Sequence, residues 1–297
     1  MVLSSRALTA MAAIIALAAI PLAGCGGGDA SSASSTGTAA AVADGGATGT
    51  GTAADGGTST TSYTGIRDML TSLGSELNGF WGANLGEGGT WKDAEVKVVE
   101  QTGQTACGAI DAANTGPAYC GPDATMVLPI AFFRDRLIGA DDQGGNDAAV
   151  AAVVGHEFAH HIQAVTGISK TAEEAVAENP ETANLISVAN ELSADCFMGV
   201  WLSTVRDEGR IEAGDVDEVL EALARIGDDW LTADAGQAAD ASAFDHGTSA
   251  QRAYWFAQGY DTGDAEKCGV VYDDLADGTL VKELKAGADA VNSATTP

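Results

Sequence analysis

Three of the four histidines in the chain fall in one short run, Gly155-His156-Glu157-Phe158-Ala159-His160-His161. His156 and His160 are four residues apart, so on a helix their rings share one face, one turn apart. That spacing lets both imidazoles reach a single zinc ion at about 2.0–2.1 Å. Glu157 follows the first ring and points beside the metal, where it can take a proton from water held there. This is the His-Glu-x-x-His arrangement, in which two residues bind and one acts as general base. The preceding stretch, Ala148 to Val154, is apolar all round and marks a buried helix. A buried histidine pair needs partners.

Two imidazoles do not complete a catalytic zinc site; a third protein ligand is required. The longer motif that supplies a third histidine from the same segment is absent, since Gln163 and Thr166 occupy its glycine and histidine positions. A carboxylate from a downstream helix is the other common solution. Glu191 and Asp195 are four apart and face the same way. We expect Glu191 to coordinate and Asp195 to accept a hydrogen bond from the outer nitrogen of a ligand histidine; the same spacing also allows the reverse. Among Leu185, Leu192, Phe197 and Trp201, two carboxylates on one face would be costly without a cation. His246, the one histidine outside this helix, is the first candidate to stabilise the charge of a tetrahedral intermediate, with a capping or structural role as its alternative. Tyr119 and Arg252 are weaker candidates, and Arg252 could equally pair with a carboxylate. The His161 ring points roughly 100° away from His160 and belongs outside the first shell.

The elements that must position these groups follow from periodicity. Ile66, Met69, Leu70, Leu73, Leu77 and Phe80 predict a helix over 65–83. Val96 and Val98 alternate with charge and predict a strand near 95–101. A Gly-rich loop follows, and residues 125–133 read as a second strand. Pro129 places that strand at a sheet edge or a bulge, where its free side could pair with an extended substrate. The zinc helix begins at Asn146 or Asp147 and stops at Gly167. A second helix covers about 181–207, with further helices at 216–231 and 249–258. Signals beyond these are weak.

The run His-Glu-Phe-Ala-His-His-Ile-Gln at 156–163, with Glu-Leu-Ser-Ala-Asp-Cys-Phe-Met-Gly-Val-Trp at 191–201, resembles the putative neutral zinc metallopeptidase family of bacteria. Tyr119-Cys120, Gly247-Thr248-Ser249-Ala250-Gln251-Arg252 and Trp255-Phe256 match as well, so the resemblance runs from about Tyr63 to Cys268. It implies a thermolysin-like, gluzincin-type site with His156, His160 and Glu191 on one zinc per chain and Glu157 as base. The expected fold is α+β: a small antiparallel sheet with an edge strand packed on the active-site helices, and a helical C-terminal part. The expected activity is peptide-bond hydrolysis on a polypeptide substrate, with no organic cofactor. The alternative is a non-catalytic lipoprotein that keeps zinc for binding or assembly.

The N-terminus reads as an export signal. Arg6 precedes a short apolar run over 7–20 and small residues ending in Leu22-Ala23-Gly24-Cys25. That quartet resembles a lipobox, which implies cleavage after residue 24 and a lipid on Cys25. Residues 25–62 then form a lipidated cysteine and a Gly/Ser/Thr/Ala tether unable to bury a core, and residues 63–297 form the peptidase domain. We therefore expect an extracytoplasmic protein held to the membrane by its lipid. The net charge of −28, with only 14 Lys and Arg, excludes nucleic acid as a partner and basic adsorption to anionic lipid. Cys107, Cys120, Cys196 and Cys268 form an even set, read as disulfides with three possible connectivities. Cys107 with Cys120 would close a short loop, leaving Cys196 and Cys268 as a long-range staple that braces the site helix.

Overall fold

The computed structural model describes residues 65–86, 91–138 and 146–295. The expected signal segment, the expected lipidation site Cys25 and the expected tether lie outside the described residues. Helix α1 (Ile66–Leu85) buries Leu70, Leu73, Leu77 and Trp81 along one stripe. Five strands follow: β1 (Glu95–Val99), β2 (Thr102–Thr105), β3 (Gly108–Asp111), β4 (Ala118–Cys120) and β5 (Thr125–Pro129). The fold is α+β and mostly helical, as expected, but the sheet corrects the expectation in two ways.

First, the main sheet is mixed. Its order is β1-β5-β4, with β5 parallel to β1 and antiparallel to β4. Second, β5 is the central strand and not an edge. All five of its residues are buried, which is why it reads as a continuous apolar run and not as an alternation. Pro129 is tolerated because it is the last strand residue: β4 pairs only with residues 125–127, and the missing donor lies past its end. Beyond Pro129 the chain turns helical (Ile130–Phe132) and then into a wide turn over Phe133–Ile138. The outer strands are β1 and β4, and β4 is the one whose outer edge lies at the site. Where a Gly-rich loop was expected, β2 and β3 form an antiparallel hairpin.

Helices make up the rest: α2 (Asp147–Thr166), α3 (Ile168–Glu178), α4 (Ala183–Asp207), α5 (Asp215–Arg225), α6 (Asp228–Asp234), α7 (Ser249–Thr262), α8 (Val271–Asp277) and α9 (Thr279–Thr295). Helix α2 ends at Gly167 in the left-handed region, as its sequence predicts. At its start the Ala148 N–H donates to Asp147 Oδ1 at 3.1 Å. The helix expected over 216–231 is broken after Arg225, and Gly227 starts α6.

Helices α2, α4 and α7 enclose the core, with Phe158, Leu192, Phe197, Trp201 and Phe256 all buried. Helices α4 and α7 cross backbone to backbone. A Cβ on Gly259 would run into the Cys196 carbonyl oxygen, and one on Gly199 into the Phe256 carbonyl oxygen. Only glycine permits that approach. Both expected disulfides form, with Cα–Cα separations of 5.8 Å for Cys107–Cys120 and 5.2 Å for Cys196–Cys268. The second ties α4 to the turn before α8, next to Asp195.

Candidate metal centre

Helix α2 presents His156 and His160 to α4, which presents Glu191 back. The His156 Nε2 atom lies 3.0 Å from Glu191 Oε2, and His160 Nε2 lies 3.4 Å from Glu191 Oε1. One donor atom from each residue falls within 4.8 Å of the other two. Ligand atoms 2.0–2.1 Å from a tetrahedral ion stand roughly 3.3 Å apart, and the two histidine-to-Glu191 distances match that spacing.

The outer nitrogens fix the tautomers. Asp195 Oδ1 accepts from His156 Nδ1 at 2.8 Å. Gln163 Nε2 must donate to the Asn190 carbonyl at 2.7 Å, so its Oε1 is the acceptor for His160 Nδ1 at 2.9 Å. In the neutral rings a metal would bind, both Nδ1 atoms therefore carry the proton and both Nε2 atoms, on the Glu191 side, are left to coordinate. This is the geometry a metal needs, and two elements enforce it independently.

Charge makes the same demand. Burial opposes a charged His156, yet Glu191 and Asp195 outweigh it and raise its pKa to about 10. Burial works against the Glu191 carboxylate too, but the two imidazoles hold its pKa well below the ordinary value. A site that binds a proton this tightly between carboxylates is one that favours a cation.

Glu157 stands outside the donor trio but lines the same cleft of about 490 Å³. Burial raises its pKa, while the two imidazoles and the nearby Tyr119 backbone lower it. Tyr119 lies on β4, so the free edge of the sheet borders the base. The Tyr119 hydroxyl is engaged elsewhere, 3.0 Å from His161 Nδ1, while His161 Nε2 donates to the Lys92 carbonyl at 2.8 Å. His161 thus locks α2 to β4 and to the segment before β1.

His246 lines the cleft with the trio. Its Nδ1 is 2.6 Å from Asp245 Oδ1 and 3.5 Å from Asp228 Oδ1. Asp228 also gathers the loop, accepting from the N–H groups of Asp245, His246 and Gly247 at 3.0, 2.8 and 2.7 Å. Burial opposes the charge on His246, but the adjacent Asp228 and Asp245 carboxylates raise its pKa to about 10. Arg252 on α7 is fully buried and pairs with Asp195 Oδ1 at 2.9 Å, with Glu191 Oε2 3.8 Å away. It is a partner of the carboxylates, and Asp195 sits between it and His156.

Residues 6–271 match the putative neutral zinc metallopeptidase family. The chain belongs to that family. The chain is 36% identical over 193 residues to the uncharacterized protein YpfJ of Escherichia coli strain K12, covering 63% of this chain and 65% of that one. It is 33% identical over 174 residues to the uncharacterized protein Rv2575 of Mycobacterium tuberculosis strain H37Rv, covering 55% and 57%. The matched region spans less than two thirds of the length of these relatives. No solved structure matches the chain.

Sequence reasoning brought together His156, Glu157, His160, Glu191 and Asp195, and the structure places them in one site. It missed Gln163 as the partner of His160, although three-residue spacing on one helix carried that signal. Asp228 had no local signal, because its partners lie 17 to 19 residues downstream.

Proposed function

We propose that this chain is a zinc-dependent peptidase in which His156, His160 and Glu191 hold the metal and Glu157 is the general base. The observation that carries the reading is the pair of Nε2 atoms, each oriented by a hydrogen bond at its outer Nδ1 and turned toward one carboxylate, with a second carboxylate beside them. Zinc held there supplies a Lewis acid that polarises a carbonyl and lowers the pKa of water. Glu157 takes the proton from the attacking water and delivers it to the leaving amine. His246, charged and held by Asp228 and Asp245, donates to the oxygen that gains negative charge. The free edge of β4 offers backbone groups to an extended polypeptide, and Val153, Leu223, Ile226 and Leu231 give the cleft an apolar wall for its side chains. In its ligand set the site is thermolysin-like. Two disulfides support an oxidising compartment, in keeping with an exported lipoprotein anchored through Cys25.

The test compares the full chain with its Glu157→Gln variant on an unfolded polypeptide. Both should carry one zinc, and the variant should lose roughly 10²–10⁴-fold in kcat. Equal rates in the two proteins, or no hydrolysis by either, would assign the metal to binding or assembly.

A further inference from the structure

The two disulfides sit in opposite surroundings. Cys196 and Cys268 are both 0% exposed. Cys120 is also 0% exposed, but its partner Cys107 is solvent-exposed in the tight turn between β2 and β3. Thiol–disulfide exchange needs access to one sulfur, and Cys107 is the one exposed residue among the four bridged cysteines.

That bridge bears directly on the cleft. Cys107 lines it, and so do Ala109, Ile110 and the segment Ala112–Ala118, all within the loop the bridge closes. Cys120 is the last residue of β4, next to Tyr119, which lines the cleft together with Glu157. Strand β4 is short and pairs with β5 at three positions only. Beside the bridge itself, the tip of the hairpin is tied by Ala106 N–H to Asp123 Oδ2 at 2.8 Å and Cys107 N–H to Cys120 Sγ at 3.1 Å. The metal trio stands on α2 and α4, and α4 is braced by the buried bridge.

We propose that Cys107–Cys120 is a reducible brace on the substrate-binding edge, so that a dithiol weakens peptide binding while the metal stays in place. This rests on the reading of the cleft as a peptide site. A thiolate of the dithiol attacks Cys107 Sγ, the disulfide bond breaks, and Cys120 leaves as a thiolate that takes up a proton. The second thiol of the reductant then attacks its own sulfur in the mixed disulfide and releases Cys107. Two electrons pass to the protein and the reductant leaves as a cyclic disulfide. The loop over 108–119 keeps the β2–β3 and β4–β5 pairing at its two ends but loses the covalent closure that orders it before peptide arrives.

The experiment uses zinc-loaded full chain carrying Glu157→Gln and a fluorescein-labelled, cysteine-free apolar peptide of about ten residues. Mild dithiothreitol should release two thiols from the folded domain, mapped to Cys107 and Cys120. Zinc content should be unchanged, and peptide affinity should fall roughly ten-fold, the cost of ordering one or two more side chains on binding. The Cys107→Ser, Cys120→Ser double variant should bind like the reduced protein and ignore the reductant. Release of both pairs, release of neither, or loss of zinc on reduction overturns the proposal. Selective reduction with unchanged affinity also overturns it but leaves the peptidase reading standing. No peptide binding in either redox state sinks both.

Discussion

Arg252 shows how much of the site is decided by single side chains. Glu157, Glu191 and Asp195 bring three buried or half-buried negative charges, and Arg252 returns one positive charge from a position that is 0% exposed. The remainder is the charge that a divalent ion neutralises. Arg252→Met should therefore destabilise the fold by about 3–5 kcal/mol, because it strands Asp195 without its cation; urea midpoints read this directly, and a change near zero would mean that Asp195 is satisfied by His156 alone. His246 makes a prediction in pH. Its pKa is raised to about 10 from an ordinary 6.5, so the stability it adds is fully present below about 6.5 and fades as pH climbs toward 10. The stability gap between the wild type and His246→Gln should be widest near pH 6 and close by about pH 10.5. A gap that widens with pH would contradict the pairing with Asp228 and Asp245. The motif residues were legible because their chemistry is written in local spacing. Gln163, Arg252 and Asp228 act through partners on other elements, and only the first had a helical offset to betray it.

Elements were legible where burial imposes a period. Helices α1, α2 and α4 and strand β1 fall within two or three residues of where the apolar positions place them. Strand β5 was found but misplaced. Its proline suggested an edge, and sequence cannot show that β4 stops before the missing donor matters. The β2–β3 hairpin and α3 were missed because short elements with glycine or small residues carry little periodic signal. What no pattern reveals is the contact between α4 and α7, made through Gly199 and Gly259. Gly259→Ala would push a methyl into the Cys196 carbonyl, one residue from Asp195. We expect a loss of about 1–3 kcal/mol or more from overpacking and weaker zinc binding, since α7 carries Arg252 into the site. Calorimetric melting together with a zinc titration measures both. Lower stability with unchanged zinc affinity would show that the crossing serves the core alone.

At the scale of the molecule, 42 acidic residues face 14 Lys and Arg, and the charge has two distinct consequences. Ion pairs such as Arg67–Glu100, Arg134–Asp135 and Lys170–Glu174 are exposed, so each contributes little and long-range repulsion among the other carboxylates opposes folding. The Debye length shrinks from about 30 Å at 0.01 M salt to about 8 Å at 0.15 M, so added sodium chloride should raise the melting temperature. Metal should act differently. An ion that binds only the folded chain stabilises it by about 4 kcal/mol at a thousand times its Kd. At His156, His160 and Glu191 it meets side chains only 10%, 24% and 17% exposed, where mobile ions screen weakly. The drop in melting temperature on chelation should therefore persist in 0.5 M salt, after the salt effect itself has levelled off. If chelation ceased to matter at high salt, the metal would be acting as a counterion for the acidic surface, and the three convergent donors would have to be explained without it.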